Sequence, residues 1–74
     1  MLKGTRGGIV RQMRRASVHG QVIWDVTFVH DDDPEEQLHA ARIGPEAVSP
    51  NLEPGDRVQL EYVLGSVVRM TKVR

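Results

Sequence analysis

Residues 21–30 read Gln-Val-Ile-Trp-Asp-Val-Thr-Phe-Val-His, in which the even positions Val22, Trp24, Val26 and Phe28 are apolar and Gln21, Asp25 and Thr27 between them are polar. Successive side chains of an extended chain point to opposite faces, so a two-residue period makes a strand with one buried face and one wetted face. Only Ile23 and Val29 break the alternation. The period returns at residues 57–64, where Val58, Leu60, Tyr62 and Leu64 alternate with Arg57, Gln59 and Glu61. Two half-buried strands need further strands to cover their apolar faces, and a chain of 74 residues has few elements to offer.

The segments between and around these strands are punctuated by turn residues. Val18-His19-Gly20 marks a turn before Gln21, and residues 8–15 ahead of it form a weaker first strand in which Ile9 and Met13 share a face with Arg11 and Arg15. Val10, Met13 and Arg14 also fall at helical spacing, but Gly7-Gly8 and the β-branched pair Ile9-Val10 favour a strand. The acidic, proline-containing run from Asp31 to Glu36 is an exposed loop, being too charged for a central strand. Residues 37–43 alternate weakly and read as a third strand, with one helical turn at 38–42 as the competing assignment. Pro45 suits the first position of a short helix over residues 45–48, and Ser49-Pro50-Asn51 ends it. Glu53-Pro54-Gly55-Asp56 is a turn that opens the strand from Arg57, and Gly65-Ser66 reverses the chain into Val67–Val73.

Five short strands bury one face only by curling together, which also hides edges that would invite aggregation. The expected fold is therefore all-β: one domain over residues 1–74, a small five-stranded barrel, closed or partly open. The OB-fold is preferred, because it carries a linking segment between its third and fourth strands, and an SH3-like barrel is the alternative. Trp24, Phe28 and Tyr62 are expected inside, with the interior gathered around Trp24. No cysteine is present to staple a small core, which points to packing or association for stability and to a reducing, cytoplasmic setting. No run approaches the length of a membrane span.

The run Glu53-Pro54-Gly55-Asp56-Arg57-Val58-Gln59-Leu60-Glu61, followed by a hairpin and a basic strand ending at Arg74, resembles the closing third of bacterial translation initiation factor one and similar single-domain OB proteins. That resemblance implies an OB-type barrel and binding of RNA or single-stranded DNA on a basic face.

Formal charge is zero but segregated. Residues 1–20 hold Lys3, Arg6, Arg11, Arg14 and Arg15 with no acid; residues 21–56 hold nine acids against Arg42; residues 57–74 hold four bases against Glu61. A basic stripe formed by Lys3, Arg6, Arg11, Arg14, Arg15, Arg69, Lys72 and Arg74 would follow a phosphate backbone, making single-stranded DNA or RNA the first partner class. The competing surface is a protein-interaction or oligomerising one, with Ile23, Val29 and Val63 exposed beside the acidic residues Asp31, Asp32 and Asp33. Position separates the two: arginines converging on one exposed face favour nucleic acid, and arginines neutralised by neighbouring carboxylates favour a protein partner or homo-oligomer.

Catalysis has little support. Ser17 and Ser66 lack a nucleophile elbow and a third triad member, and Gly4–Gly8 has neither phosphate-loop nor dinucleotide spacing, reading instead as a loose lead-in to the first strand. The acidic run lacks the calcium-loop pattern. His19, His30 and His39 have no zinc spacing and are expected at turns or on the surface. No cofactor, metal or enzymatic activity is expected.

Overall fold

The computed structural model describes residues 3–73. Five strands, β1 (Lys3–Val18), β2 (Gln21–His30), β3 (His39–Ile43), β4 (Arg57–Val63) and β5 (Ser66–Lys72), form one antiparallel sheet, with a single 3-10 turn at Pro45–Ala47 between β3 and β4. Their order across the sheet is β3-β2-β1-β4-β5. The first three strands meander, and β4 returns over a longer connection to lie beside β1, which is a Greek key. Both β-hairpins that flank the Greek key turn on paired positive-φ residues, His19-Gly20 and Leu64-Gly65, the geometry whose twist matches the strands. Leu64, which the alternation assigned to the inward face, is drawn into the second of these turns and stands 72% exposed.

The long first strand organises the sheet. Its N-terminal part, Lys3–Ile9, pairs with β4, and Gly8–Val18 pairs with β2. The run Gly4–Gly8 is therefore strand, not a loose lead-in. Glycine at position 8 is needed there because a Cβ would stand 2.9 Å from Leu60 Cδ1 and 3.0 Å from the Val29 carbonyl oxygen. The register of β1 on β2 shifts between Val10, opposite Phe28, and Gln12, opposite Thr27, so Arg11 is an extra, bulged residue. One inserted residue inverts the facing of everything beyond it. Val10 and Met13 consequently share the inner face, opposite Phe28 and Val26, while Ile9, expected beside Met13, lies on the other face opposite Val29.

Val10, Val26, Phe28, Ile43, Val58, Leu60 and Met70 form the buried core. Each such side chain contributes about 1.5–3 kcal/mol relative to remaining in water. Trp24 packs against this cluster from its edge, half-buried toward the turn of the first hairpin, so the interior is centred on Phe28, Leu60 and Met70 instead. Tyr62 likewise packs on the rim of the core.

The sheet curls but does not close through strand pairing. The outermost strands β3 and β5 approach one another without a hydrogen-bonded ladder. One end of the seam between them is sealed by the segment after the 3-10 turn: Val48 bridges Met70 in parallel, the Ser49 amide donates to the Met70 carbonyl at 3.0 Å, and the Lys72 amide donates to Ser49 Oγ at 2.9 Å. Beyond that seal β3 and β5 face each other unpaired, and the other end of the seam stays open as a cleft. No helix among the described residues is long and apolar enough to cross a membrane.

Candidate functional site

At the open end of the seam four rings meet. His30 ends β2 on its inner face, His39 begins β3 opposite Phe28, and Tyr62 lies near the end of β4. His30 Nε2 and the Tyr62 hydroxyl share a hydrogen bond of 2.7 Å. His39 stacks on Phe28 at 5.6 Å between ring centroids and leans against His30 at 4.4 Å. His30 is only 6% exposed, so its position in the last inward place of β2 contradicts the expected surface location. Burial, reinforced by the nearby Arg6 charge, lowers the His30 pKa, while burial raises that of Tyr62.

Arg6 belongs to the same end of the sheet. It pairs in register with Leu60, one inward position beyond Gly8, and its Nη2 donates to Asp32 Oδ1 at 2.8 Å. That hydrogen bond and the guanidinium charge hold the Asp32 carboxyl below the usual range. Lys3, Arg6, His30, His39 and Tyr62 together line a hollow of about 460 Å³.

A second hollow of about 340 Å³ opens in the seam itself, between His39–Arg42 of β3 and Gly65–Val67, and it shares His39 and Tyr62 with the first. A third, of about 330 Å³, lies over the outer face of β1, β2 and β3 and shares Ala40, Ala41 and Arg42 with the second. Strand register explains its chemistry: Arg14, Asp25 and Arg42 stand in one row across three strands. Arg42 Nε donates to Asp25 Oδ1 at 2.8 Å, so one carboxylate sits between two guanidinium groups. Gln12 and Thr27 add hydrogen-bonding side chains beside them. The three hollows are separate but follow one another around the edge strand β3: the outer-face hollow at Arg14 and Arg42 shares Ala40–Arg42 with the seam hollow, which shares His39 and Tyr62 with the hollow at Arg6 and Lys3.

The predicted basic residues divide on this geometry. Lys3, Arg6 and Arg14 line these hollows. Arg11 is held by Glu36, Arg69 Nε lies 3.6 Å from Glu61 Oε2, and Lys72 Nζ lies 3.4 Å from Asp56 Oδ2. Arg15, opposite Trp24, lies outside the lining of the hollows, and Arg74 lies outside the described residues. The expected stripe joining Arg11, Arg14 and Arg15 to Arg69 and Lys72 does not form, because β5 has β4 as its one neighbouring strand, and β4 meets β1 along Lys3–Ile9, not along the half that carries Arg11, Arg14 and Arg15.

The predicted partner surface is also rearranged. Val29 is 2% exposed, and Ile23 and Val63 are half-buried, so none offers a free apolar face. Asp31 and Asp32 are exposed, the latter engaged by Arg6. Asp33 turns inward on its own loop: its carboxylate accepts the Glu35 amide at 2.9 Å and the Gln37 amide at 3.0 Å, which lowers its pKa and gives the acidic run a defined shape. Reasoning from sequence missed Arg42, His30, His39 and Tyr62. No local signal marks them as a site, since each is placed by a pairing partner distant along the chain.

No protein-family model, curated protein or solved structure matches the chain.

Proposed function

We propose that this chain is a small OB-type domain that binds single-stranded DNA or RNA across the row of hollows from Arg14 and Arg42 to Lys3 and Arg6. The observation that carries the reading is the composition of the three neighbouring hollows: cations in the outer two and the rings of His39 and Tyr62 in the one between, the pairing of phosphate contacts with stacking surfaces that single strands need. The strand order supports the OB assignment, because β1 lies between β2 and β4 and a linking segment covers the seam between β3 and β5. The ion pairs at the hollows do not bar phosphate. They are exposed, worth roughly 0–1 kcal/mol each, and a phosphate can exchange for a carboxylate at little cost. Binding, not catalysis, is the role assigned, in a reducing compartment.

Fluorescence anisotropy with labelled single-stranded oligonucleotides tests the proposal. Engagement of four phosphates by Lys3, Arg6, Arg14 and Arg42 gives a log–log salt slope of about −2.8, which weakens binding about 50-fold between 50 and 200 mM salt. Binding that is absent at low salt, or indifferent to salt, refutes it.

A protein-binding reading has two observations in its favour. The first is that Arg6, Arg11, Arg42, Arg69 and Lys72 are each paired with a carboxylate, the arrangement that favours a protein partner over nucleic acid. The second is that Leu38 and Leu64, 63% and 72% exposed, adjoin the hollow-lining residues His39 and Gly65, giving the seam an apolar rim. Sedimentation velocity showing a concentration-dependent dimer, together with no oligonucleotide binding, selects that reading.

A further inference from the structure

Gly4 has no structural explanation of the kind that accounts for the other glycines. Gly20, Gly55 and Gly65 have positive φ, at Gly8 a Cβ would press on Leu60 and the Val29 carbonyl, and at Gly7 and Gly44 it would displace only the carboxylate ends of Asp31 and Glu46. Gly4 has neither constraint: it lies inside β1 without a positive φ, and among the described residues no atom comes within 4 Å of its Cβ position. Glycine weakens a strand interior, and where neither backbone nor packing requires it, it marks a place where something else approaches closely.

Its partner in register sharpens the point. Gly4 stands directly opposite Tyr62 on β4, so the empty side-chain position and the tyrosine ring share one face of the sheet. An aromatic residue across from a strand glycine ordinarily folds over it. Here it does not. The Tyr62 hydroxyl is tied to His30 Nε2 at 2.7 Å, and the ring leans toward the histidines, so that no described atom, the tyrosine ring included, lies within 4 Å of the Gly4 Cβ position. Gly4 and Tyr62 both line the hollow that contains Lys3 and Arg6.

We infer that the gap between Gly4 and Tyr62 is a slot for one planar heteroaromatic ring, a nucleobase, whose attached phosphate is met by Lys3 and Arg6. This rests on the proposed nucleic-acid reading for its occupant and adds to it a discrete base subsite. Tyr62 supplies the stacking face, the bond to His30 fixes the plane of that face before any ligand arrives, and the missing side chain at position 4 supplies the room. The chemistry fits either a base within a strand or a free nucleoside monophosphate.

Gly4→Val is the decisive variant. Valine suits a strand, and with no described atom within 4 Å of the Cβ position the substitution leaves the fold intact, which circular dichroism and the thermal midpoint check directly. Gly4→Ala serves as a second variant with a smaller intrusion. Anisotropy with homopolymer oligonucleotides of thymidine, uridine, adenosine and cytidine is run beside NMR titration with the four nucleoside monophosphates. Loss of one stacked base weakens strand binding about ten-fold or more in Gly4→Val, with a smaller loss in Gly4→Ala. If strands bind wild type and Gly4→Val equally, the slot is overturned while strand binding stands. If strands fail but monophosphates shift the Gly4 and Tyr62 resonances in wild type and not in Gly4→Val, the slot stands with a free nucleotide as occupant and strand binding falls. If neither ligand binds, both are overturned.

Discussion

Removing one hydroxyl at Tyr62 tests the ring cluster on which the site is built. Tyr62→Phe keeps the ring but deletes the hydrogen-bond partner of His30 Nε2, 2.7 Å away on a residue that is 6% exposed. A buried polar atom left without its partner costs about 1–3 kcal/mol, more than the net worth of the bond when made. Tyr62 is half-buried, which lets solvent reach part of the gap and places the expected loss toward the lower end, about 1–2 kcal/mol. In a domain of this size that lowers the thermal midpoint by about 4–16 °C. Thermal and urea unfolding, followed through Trp24 fluorescence, measure it. The double variant Tyr62→Phe/His30→Leu sets the diagnostic: with both polar partners replaced by apolar groups the unsatisfied atom is gone, and most of the loss is recovered. A Tyr62→Phe midpoint equal to wild type, or a double variant that loses the sum of the two single effects, refutes the reasoning.

Two further outcomes follow from the same structure. His30 is a base whose folded-state pKa lies below the ordinary histidine value of 6.5, so the unfolded chain binds more protons; its contribution is present in full above pH 6.5 and is lost as pH falls through the lower folded value. Urea midpoints measured against pH therefore decline on acidification from 6.5, the decline is absent in His30→Leu, and an identical profile in both proteins contradicts the assignment. Asp32 and Asp33, held below 3.8 by Arg6 and by backbone amides respectively, add a second loss at more acid pH. At the second hairpin, Leu64 holds φ 53° at a position where asparagine is at ease, and its side chain is exposed. Leu64→Asn raises stability by about 1 kcal/mol in urea unfolding, and a destabilised variant shows that Leu64 packs against something the geometry does not suggest.

The residues alone were sufficient for the number and order of the strands, the two hairpins and the short helical turn, but not for the extent of β1, whose Gly4–Gly8 reads as a lead-in and is strand. Alternation at Val22–Phe28 and Val58–Tyr62 depends only on the two-residue period of extended chain, and His19-Gly20 reverses the chain through local backbone preferences. The acidic run was legible as a loop for the same local reason. What lay beyond reach was every relation between strands. A bulge at Arg11 inverted the facing of half of β1, and nothing in Arg-Gln-Met announces an inserted residue, because a bulge is a mismatch with a partner strand and not a property of one strand. Strand order decided that Arg14 and Arg42 flank Asp25 while Arg69 answers to Glu61, which broke the expected basic stripe and assembled the row of hollows instead. His30, His39 and Tyr62, scattered along the chain, became one cluster because strand order and register bring the ends of β2, β3 and β4 together at the unpaired seam between β3 and β5. Local patterning chooses each segment's conformation; register and closure, which are set by contacts between residues far apart in the chain, choose which side chains meet.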